Sequence, residues 1–287
     1  MEGSSQVALG ANEIRALAGA LGIRPTKRLG QNFVIDGNVC RKIVRIAGVE
    51  KEDVVLEIGP GLGSLTIVLL QAASEVVAIE IDTALAQALG QTMLERLPEE
   101  GKRLTVLNGD ALRIEALPGK PPTVLVANLP YNISVPVLLL VLERFDSLRS
   151  GLVMVQAEVA ERLAAKPGDK AYGIPSVKAG WWANLHRAGS VGRGVFWPMP
   201  NVDSGLVAFT RKDPPVSSVS RQEVFAVIDA AFATRRKMLR SALANWAGSP
   251  SQSEALLLAA GVSPTVRGEE LALGDFVAIA SAKARIQ

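Results

Sequence analysis

Five short apolar runs, rich in β-branched residues, punctuate the first half of the chain: 54–58, 76–79, 104–107, 123–127 and 151–155. Each is too short for a buried helix, and most lead into stretches with helical spacing. That alternation predicts an open α/β sheet of parallel strands. Val195–Pro200 and Gly205–Thr210 read as two closing strands. Helical spacing predicts helices over Asn12–Leu21 with Asn12 as cap, Asp36–Ala47, Leu65–Ala73 and Ala157–Ala165, and Ser134 is expected to cap another with Pro136 in its first turn. Residues 1–10 read as a tail, and Lys166–Lys170 as a polar loop. Asp213–Ser218, with two consecutive prolines, is the clearest linker. Beyond it the pattern is helical only: 221–234, 237–246, 253–260 and 271–284. The organisation expected is an N-terminal extension and helix (1–25), a catalytic α/β domain (26–212), a linker (213–218) and a small helical domain (219–287).

Composition narrows the chemistry. With 287 residues, 48% of them hydrophobic and 21% charged, the chain is long enough and apolar enough for a real core. One cysteine, Cys40, excludes an internal disulfide and a multi-cysteine metal site, and suits a reducing compartment. One histidine, His186, argues against a Ser-His-Asp triad and reads as an ordinary strand or loop residue. No metal is expected. The longest apolar run, Val135–Leu142, is far below the ~20 residues of a membrane helix, and no secretory signal is visible, so a cytoplasmic protein is expected. The net charge is +3 with a pI of 9.1, and the basic residues cluster: Arg24 to Arg28, Arg41 with Lys42 and Arg45, and Arg235-Arg236-Lys237 with Arg240. Such clusters permit a polyanionic partner, although a solvated face accounts for each equally well.

The candidate chemistry gathers at strand ends, where open α/β sheets bind ligands. The first strand runs into Gly59-Pro60-Gly61-Leu62-Gly63-Ser64 and then a helix, a strand–turn–helix suited to a nucleotide. The second ends at Glu80, 21 residues beyond Gly59, where a carboxylate suits ribose hydroxyls. The glycine spacing is GxGxG rather than the GxGxxG of NAD sites, no Lys or Arg lies in the loop, and Glu57 precedes it. An acidic loop resists pyrophosphate but tolerates a sulfonium and an ammonium, which favours S-adenosylmethionine. Asp110, ending the third strand, could accept from an adenine amino group; an Asx-turn or helix cap competes with that role. The fourth ends in Asn128-Leu129-Pro130-Tyr131: an amide, a carbonyl fixed by proline and an aromatic face, suited to a planar base with an exocyclic amine. Its bland alternative is a strand-to-helix turn.

Taken together, Gly30-Gln31-Asn32-Phe33, the Glu57–Gly63 loop, Glu80, Gly109-Asp110-Ala111, Asn128–Tyr131 and the Phe196–Ser204 loop closely resemble, in the same order, the KsgA-type ribosomal RNA adenine dimethyltransferases. The match spans roughly residues 26–285. The resemblance implies a class I S-adenosylmethionine-dependent methyltransferase fold, Rossmann-like, with a seven-stranded sheet whose last strand is antiparallel, and a small all-α C-terminal domain. It implies N6,N6-dimethylation of two adjacent adenines in a hairpin near the 3′ end of 16S rRNA in the 30S subunit, and a role in ribosome biogenesis. By the same resemblance Gln31, Asn32 and Val34 close over the cofactor, Gly59 and Gly61 back its methionine portion, Glu80 holds the ribose, and Asp110 with Ala111 the adenine. Asn128 and the Leu129 carbonyl hold the target amine, with Pro130 fixing the turn and Tyr131 and Phe196 stacking on the base. Arg235, Arg236, Lys237 and Arg240 are the RNA-binding candidates, and a monomer is expected. Departures are Val34 where leucine is usual, Trp197 in the aromatic loop, which leaves open whether it or Phe196 is the main stacking partner, and Ile174-Pro175-Ser176, read as irregular. Two other readings stay open: a 23S rRNA methyltransferase of the macrolide-resistance type, and a mainly non-catalytic ribosome-assembly binder.

Overall fold

The computed structural model describes residues 8–25 and 30–286, the side chain of Ile286 excepted; the basic positions Lys27 and Arg28 lie outside that range. Among the described residues nine strands form: β1 (Phe33–Val34), β2 (Val54–Ile58), β3 (Glu75–Glu80), β4 (Leu104–Asn108), β5 (Val124–Asn128), β6 (Ser150–Gln156), β7 (Ala183–Val191), β8 (Phe196–Trp197) and β9 (Ser204–Arg211). Seven make one sheet in the order β4-β3-β2-β5-β6-β9-β7, while β1 and β8 form a separate antiparallel ribbon. Strands β2 to β6 pair in parallel, and β9 runs antiparallel to β6 with Val153 opposite Val207. This is the class I methyltransferase fold. The chain winds outward from β2 through β3 to β4, then returns to lay β5 on the other side of β2. The order therefore reverses between β2 and β5, where a crevice opens at the carboxyl ends.

The core strands β2 and β5 are fully buried over Val54–Ile58 and Val124–Ala127, as continuous apolar runs in a two-sided sheet should be. Of the two expected closing strands, Gly205–Thr210 forms as β9 and the other does not form in full. Val195–Pro200 yields only the two-residue β8, because Pro198 and Pro200 have no N–H for a ladder. The strand left unread is β7, at one edge of the seven-stranded sheet, whose largely solvent-accessible residues and polar Asn184, His186, Arg187 and Ser190 leave no apolar run to read. His186 is thus a strand residue. Ser134 begins its helix (Ser134–Arg144) instead of capping it from Ile133's place, and its hydroxyl donates back to the Tyr131 carbonyl at 3.4 Å. The first helix, Ala11–Ala20, is capped at Gly10, not Asn12, with the Gly10 N–H donating to Glu13 at 2.8 Å. A helix over Thr83–Arg96, capped by Asp82, goes unread in the sequence because it carries almost no amphipathic contrast.

The described residues fall into two compact units: one up to Ala160 with Arg187–Arg211, the other Glu161–His186 with Lys212 onward. The second unit therefore takes in a stretch that lies upstream of the proline linker. Trp181 and Trp182 meet Phe225 edge-on at 5.9 and 5.7 Å, and the Arg221 guanidinium lies 5.0 Å from the Trp182 ring. The Tyr172 hydroxyl donates to the Leu271 carbonyl at 2.9 Å. Ile174–Ala179 is a regular short helix, not an irregular segment, and the expected 237–246 helix is broken into Leu239–Ala242 and Ala244–Ala247.

Candidate active site

The reversal point holds an open cleft of about 90 Å³, lined by apolar side chains with a few convergent polar groups, as small-molecule sites are. Its walls come from Gly30–Val34, the Glu57–Leu62 turn, Glu80, Gly109–Ala111 and Asn128–Tyr131. Every residue proposed from the sequence for the cofactor, Asn128 included, is therefore on one cavity, although these residues lie up to 97 positions apart (Gln31 to Asn128). The two key turns touch: a Cβ on Gly59 would sit 3.7 Å from the Asn128 carbonyl oxygen and from Pro130.

The floor is held from within. Glu80 is buried, one of its oxygens accepting the Gly61 N–H at 3.0 Å and the other the Asp82 N–H at 2.9 Å. Burial raises its pKa, against these two backbone donors. Each carboxylate oxygen has capacity for a further donor, which is what a pair of ribose hydroxyls requires. Gly61 has φ +57°, and a Cβ there would lie 2.8 Å from the Phe33 ring. The glycine is thus needed twice over, for the left-handed turn and for Phe33 to pack on the loop. Ser64 fixes the same segment by donating to the Val34 carbonyl at 2.5 Å.

Glu57 is the surprise at this end. It is fully buried, accepts the Thr66 hydroxyl at 2.7 Å, and has its pKa raised to about 8, by burial first and by the charge of Glu80 in addition. The acidic character read for the loop is therefore mostly neutralised by a proton at pH 7. Only a cation arriving in the cleft would favour its ionised form.

On the opposite wall, Gln31 donates to Asp82 at 3.1 Å, reaching the end of β3. The Asn32 side chain donates to Gly30, and the Asn128 amide nitrogen donates to the Asn32 carbonyl at 3.3 Å. Among the described residues no donor reaches the Asn128 Oδ1 or the Leu129 carbonyl, although the Leu129 N–H is used by Met154 at 3.0 Å. Tyr131 is half-buried, its hydroxyl 2.9 Å from the Ser204 hydroxyl, and burial raises its pKa. Asp110 caps its own turn by accepting the Leu112 N–H at 2.9 Å, so the bland role exists alongside its place on the cleft wall.

Phe196 is not brought to the cleft. It is 3% exposed and belongs to the hydrophobic core, paired in register with Val34, while Trp197 stacks on Phe33 with centroids 6.2 Å apart. Asp82, Ser64, Thr66 and Ser204 support the site and were not read from the sequence. Asp82, a capping residue two positions after Glu80, carried the one local signal that could have found it. In the second unit Arg235 pairs with Glu269 at 2.9 Å and Arg240 with Glu254 at 3.3 Å, while Arg236 and Lys237 are exposed with no ion-pair partner among the described residues. Among the described residues no group of acidic, His or Cys side chains is arranged to hold a metal, and no helix is long and apolar enough to cross a membrane.

Comparison with known proteins places this geometry. A family model described as "Ribosomal RNA adenine dimethylase" matches residues 23–285. A protein of Streptomyces avermitilis named "Ribosomal RNA small subunit methyltransferase A" is 60% identical over 273 residues, covering 95% of this chain and 92% of its own. One of the same name from Thermobifida fusca is 59% identical over 268 residues, covering 93% of each. Among solved structures, a dimethyladenosine transferase from Plasmodium falciparum superposes with a TM-score of 0.72 at 25% identity, covering 86% of this chain and 95% of its own. The 23S rRNA methyltransferase ErmE reaches 0.65 at 24% identity, covering 88% and 100%, a likeness of fold alone.

Proposed function

The chain belongs to the ribosomal RNA adenine dimethylase family, and we propose that it dimethylates N6 of two adjacent adenines in a hairpin near the 3′ end of 16S rRNA, drawing the methyl groups from S-adenosylmethionine. The observation that carries this reading is the pair of unused acceptors at the end of β5, Asn128 Oδ1 and the Leu129 carbonyl, on residues that line the cleft beside the glycine turn. An exocyclic amine has two N–H groups to give, and here are two acceptors fixed by a strand end and a proline.

The cleft also fits the cofactor by its donor set. Glu80 would hold the ribose, Asp110 and Ala111 the adenine, Gly59 and Gly61 the methionine portion, and Gln31, Asn32 and Val34 would cover it. When bound, S-adenosylmethionine supplies a methyl group made electrophilic by the sulfonium. The protein's work lies in the target base. Adenine N6 is a poor nucleophile because its lone pair is delocalised into the ring. Accepting both hydrogens at Asn128 and Leu129 draws the nitrogen towards a pyramidal form with a localised lone pair. Placement and fixed dipoles supply most of the acceleration. The proton lost becomes acidic only once the methyl is on, so no strong base is required. Tyr131, tethered through Ser204, would stack on the extruded base, a contact of ~1–3 kcal/mol.

The reading further puts the protein in the cytoplasm as a monomer, acting on 16S rRNA within the 30S subunit or its precursor and contributing to ribosome biogenesis, with Arg235, Arg236, Lys237 and Arg240 as RNA contacts, of which Arg236 and Lys237 have no ion pair to break among the described residues. The test is mass spectrometry of rRNA after incubating purified protein and labelled S-adenosylmethionine with undermethylated subunits. Dimethyladenosine in a 3′-terminal fragment of the small-subunit RNA is expected. Label confined to large-subunit RNA would move the protein to the resistance-type activity. Cofactor binding without any label would leave an assembly-binding role.

A further inference from the structure

Helix Gly37–Ala47 buries Cys40, Ile43, Val44 and Ala47 and turns the opposite face outward. That face carries Asn38, Arg41, Lys42 and Arg45, spaced i, i+3, i+4 and i+7, so the three cations form one stripe. Arg41 donates to the Asn38 side chain at 2.8 Å, but none of the three meets a carboxylate among the described residues. Asp36, the acid nearest Arg41 and Lys42 in sequence, is occupied as the helix cap, accepting the N–H groups of Asn38 and Val39, and Glu50, the acid nearest Arg45, faces Arg149 at 3.6 Å. Other cations of the same unit do find acids: Arg96 with Glu13, Lys102 with Glu99, Lys120 with Glu75, Arg149 with Asp53. The stripe is also joined to the cleft. Gln31 to Val34 form part of its wall, and only Ile35 and Asp36 separate them from the helix.

We propose that Arg41, Lys42 and Arg45 form a phosphate-binding stripe that grips the RNA backbone flanking the target base. The inference rests on the rRNA-methylating reading and adds to it a surface outside the cleft. Cations already in ion pairs must break them to bind phosphate; these three need not. Arg41 and Arg45 stand about 6 Å apart along a rigid helix axis, so the stripe presents its charges in a fixed row leading away from the cleft. Neutralised phosphates release counterions, which makes such contacts readable as a salt dependence.

The experiment compares the full-length protein with its R41Q/K42Q/R45Q variant, binding undermethylated small ribosomal subunits across 50–200 mM salt. The slope of log affinity against log salt is expected to fall by about 2, from roughly 0.7 per single-stranded phosphate contact. Affinity should drop at least ~10-fold near 100 mM salt and KM for the subunit should rise, with kcat and the cofactor Kd unchanged. Lys102→Gln, which removes a paired cation, is the control. An unchanged slope and KM in the triple variant overturns the proposal while leaving the methylation reading intact. So does an equal loss in the Lys102→Gln control, which would mark a generic charge effect. If wild-type protein neither binds nor labels either subunit, the methylation reading itself fails and takes this surface with it. Should the triple variant lose cofactor binding, the three single variants decide, each expected to lower the slope by roughly 0.7.

Discussion

The two lips of the cleft are built on opposite principles. At the ends of β2 and β3 the polar groups are already engaged: Glu80 takes two backbone N–H groups, Glu57 takes the Thr66 hydroxyl, and Gly61 sits under Phe33. At the end of β5 two acceptors are left without a partner among the described residues, and the Asn128 amide nitrogen holds a 3.3 Å bond. The first lip is shaped by the fold before anything binds. The second keeps its hydrogen-bonding capacity for the atoms that react. Substitutions should therefore separate: those at the first lip disturb stability and cofactor binding, those at the second disturb turnover.

The largest separation is expected from Asn128→Ala. Removing an aligned acceptor should lower kcat by ~10²–10³-fold, while cofactor affinity measured by calorimetry stays within a few-fold. Loss of cofactor binding in that variant would merge the two lips into one. Glu80→Gln should do the reverse, weakening cofactor binding by ~10–100-fold, the worth of a charged hydrogen bond to a ribose. A normal cofactor Kd there would remove Glu80 from the ribose role.

Gly61→Ala tests how far the first lip is pre-shaped. The added methyl meets the Phe33 ring at 2.8 Å and occupies a left-handed backbone, so denaturant unfolding should show a loss of about 1–3 kcal/mol. Combining it with Phe33→Leu should recover part of the loss.

Glu57 sharpens the comparison through pH. Its folded pKa, about 8, lies above its unfolded value near 4.5, so the folded state holds a proton that the unfolded state releases. That stabilising contribution is fully present below about pH 4.5 and is lost as pH rises through about 8. Glu57→Gln, which stays neutral, should gain over wild type progressively across that window, on the order of 3 kcal/mol by pH 7, visible as a Tm difference widening with pH. A pH-independent difference would mean that Glu57 is already ionised in the folded protein.

Much of this was legible in the chain itself. Continuous β-branched runs make strands buried on both faces, so 54–58 and 123–127 could be read without neighbours, the second one residue ahead of the observed β5. Residue identity and position singled out Glu80, Asp110 and Asn128 as candidates, because each chemistry needs its donor or acceptor at a strand end, while leaving a turn or cap as the competing role of the last two. The run 205–210 was equally legible and forms β9, whereas β7 and β8 were not. Edge strands such as β7 bury too little to leave an apolar signature, and Pro198 with Pro200 made an apolar stretch look like a strand it cannot sustain.

What only the tertiary structure decided is adjacency. No local pattern says that β5 lies beside β2, yet that neighbour relation alone sets Gly59 against Asn128 and turns separate motifs into one cleft. Nor does sequence reveal which polar groups are spent. Phe196 had the composition of a stacking residue, and burial in the core withdrew it; Glu57 had the formula of an anion, and desolvation gave it a proton. Chemistry is written residue by residue, whereas availability depends on what each residue packs against, and that is settled by contacts between segments far apart in the chain.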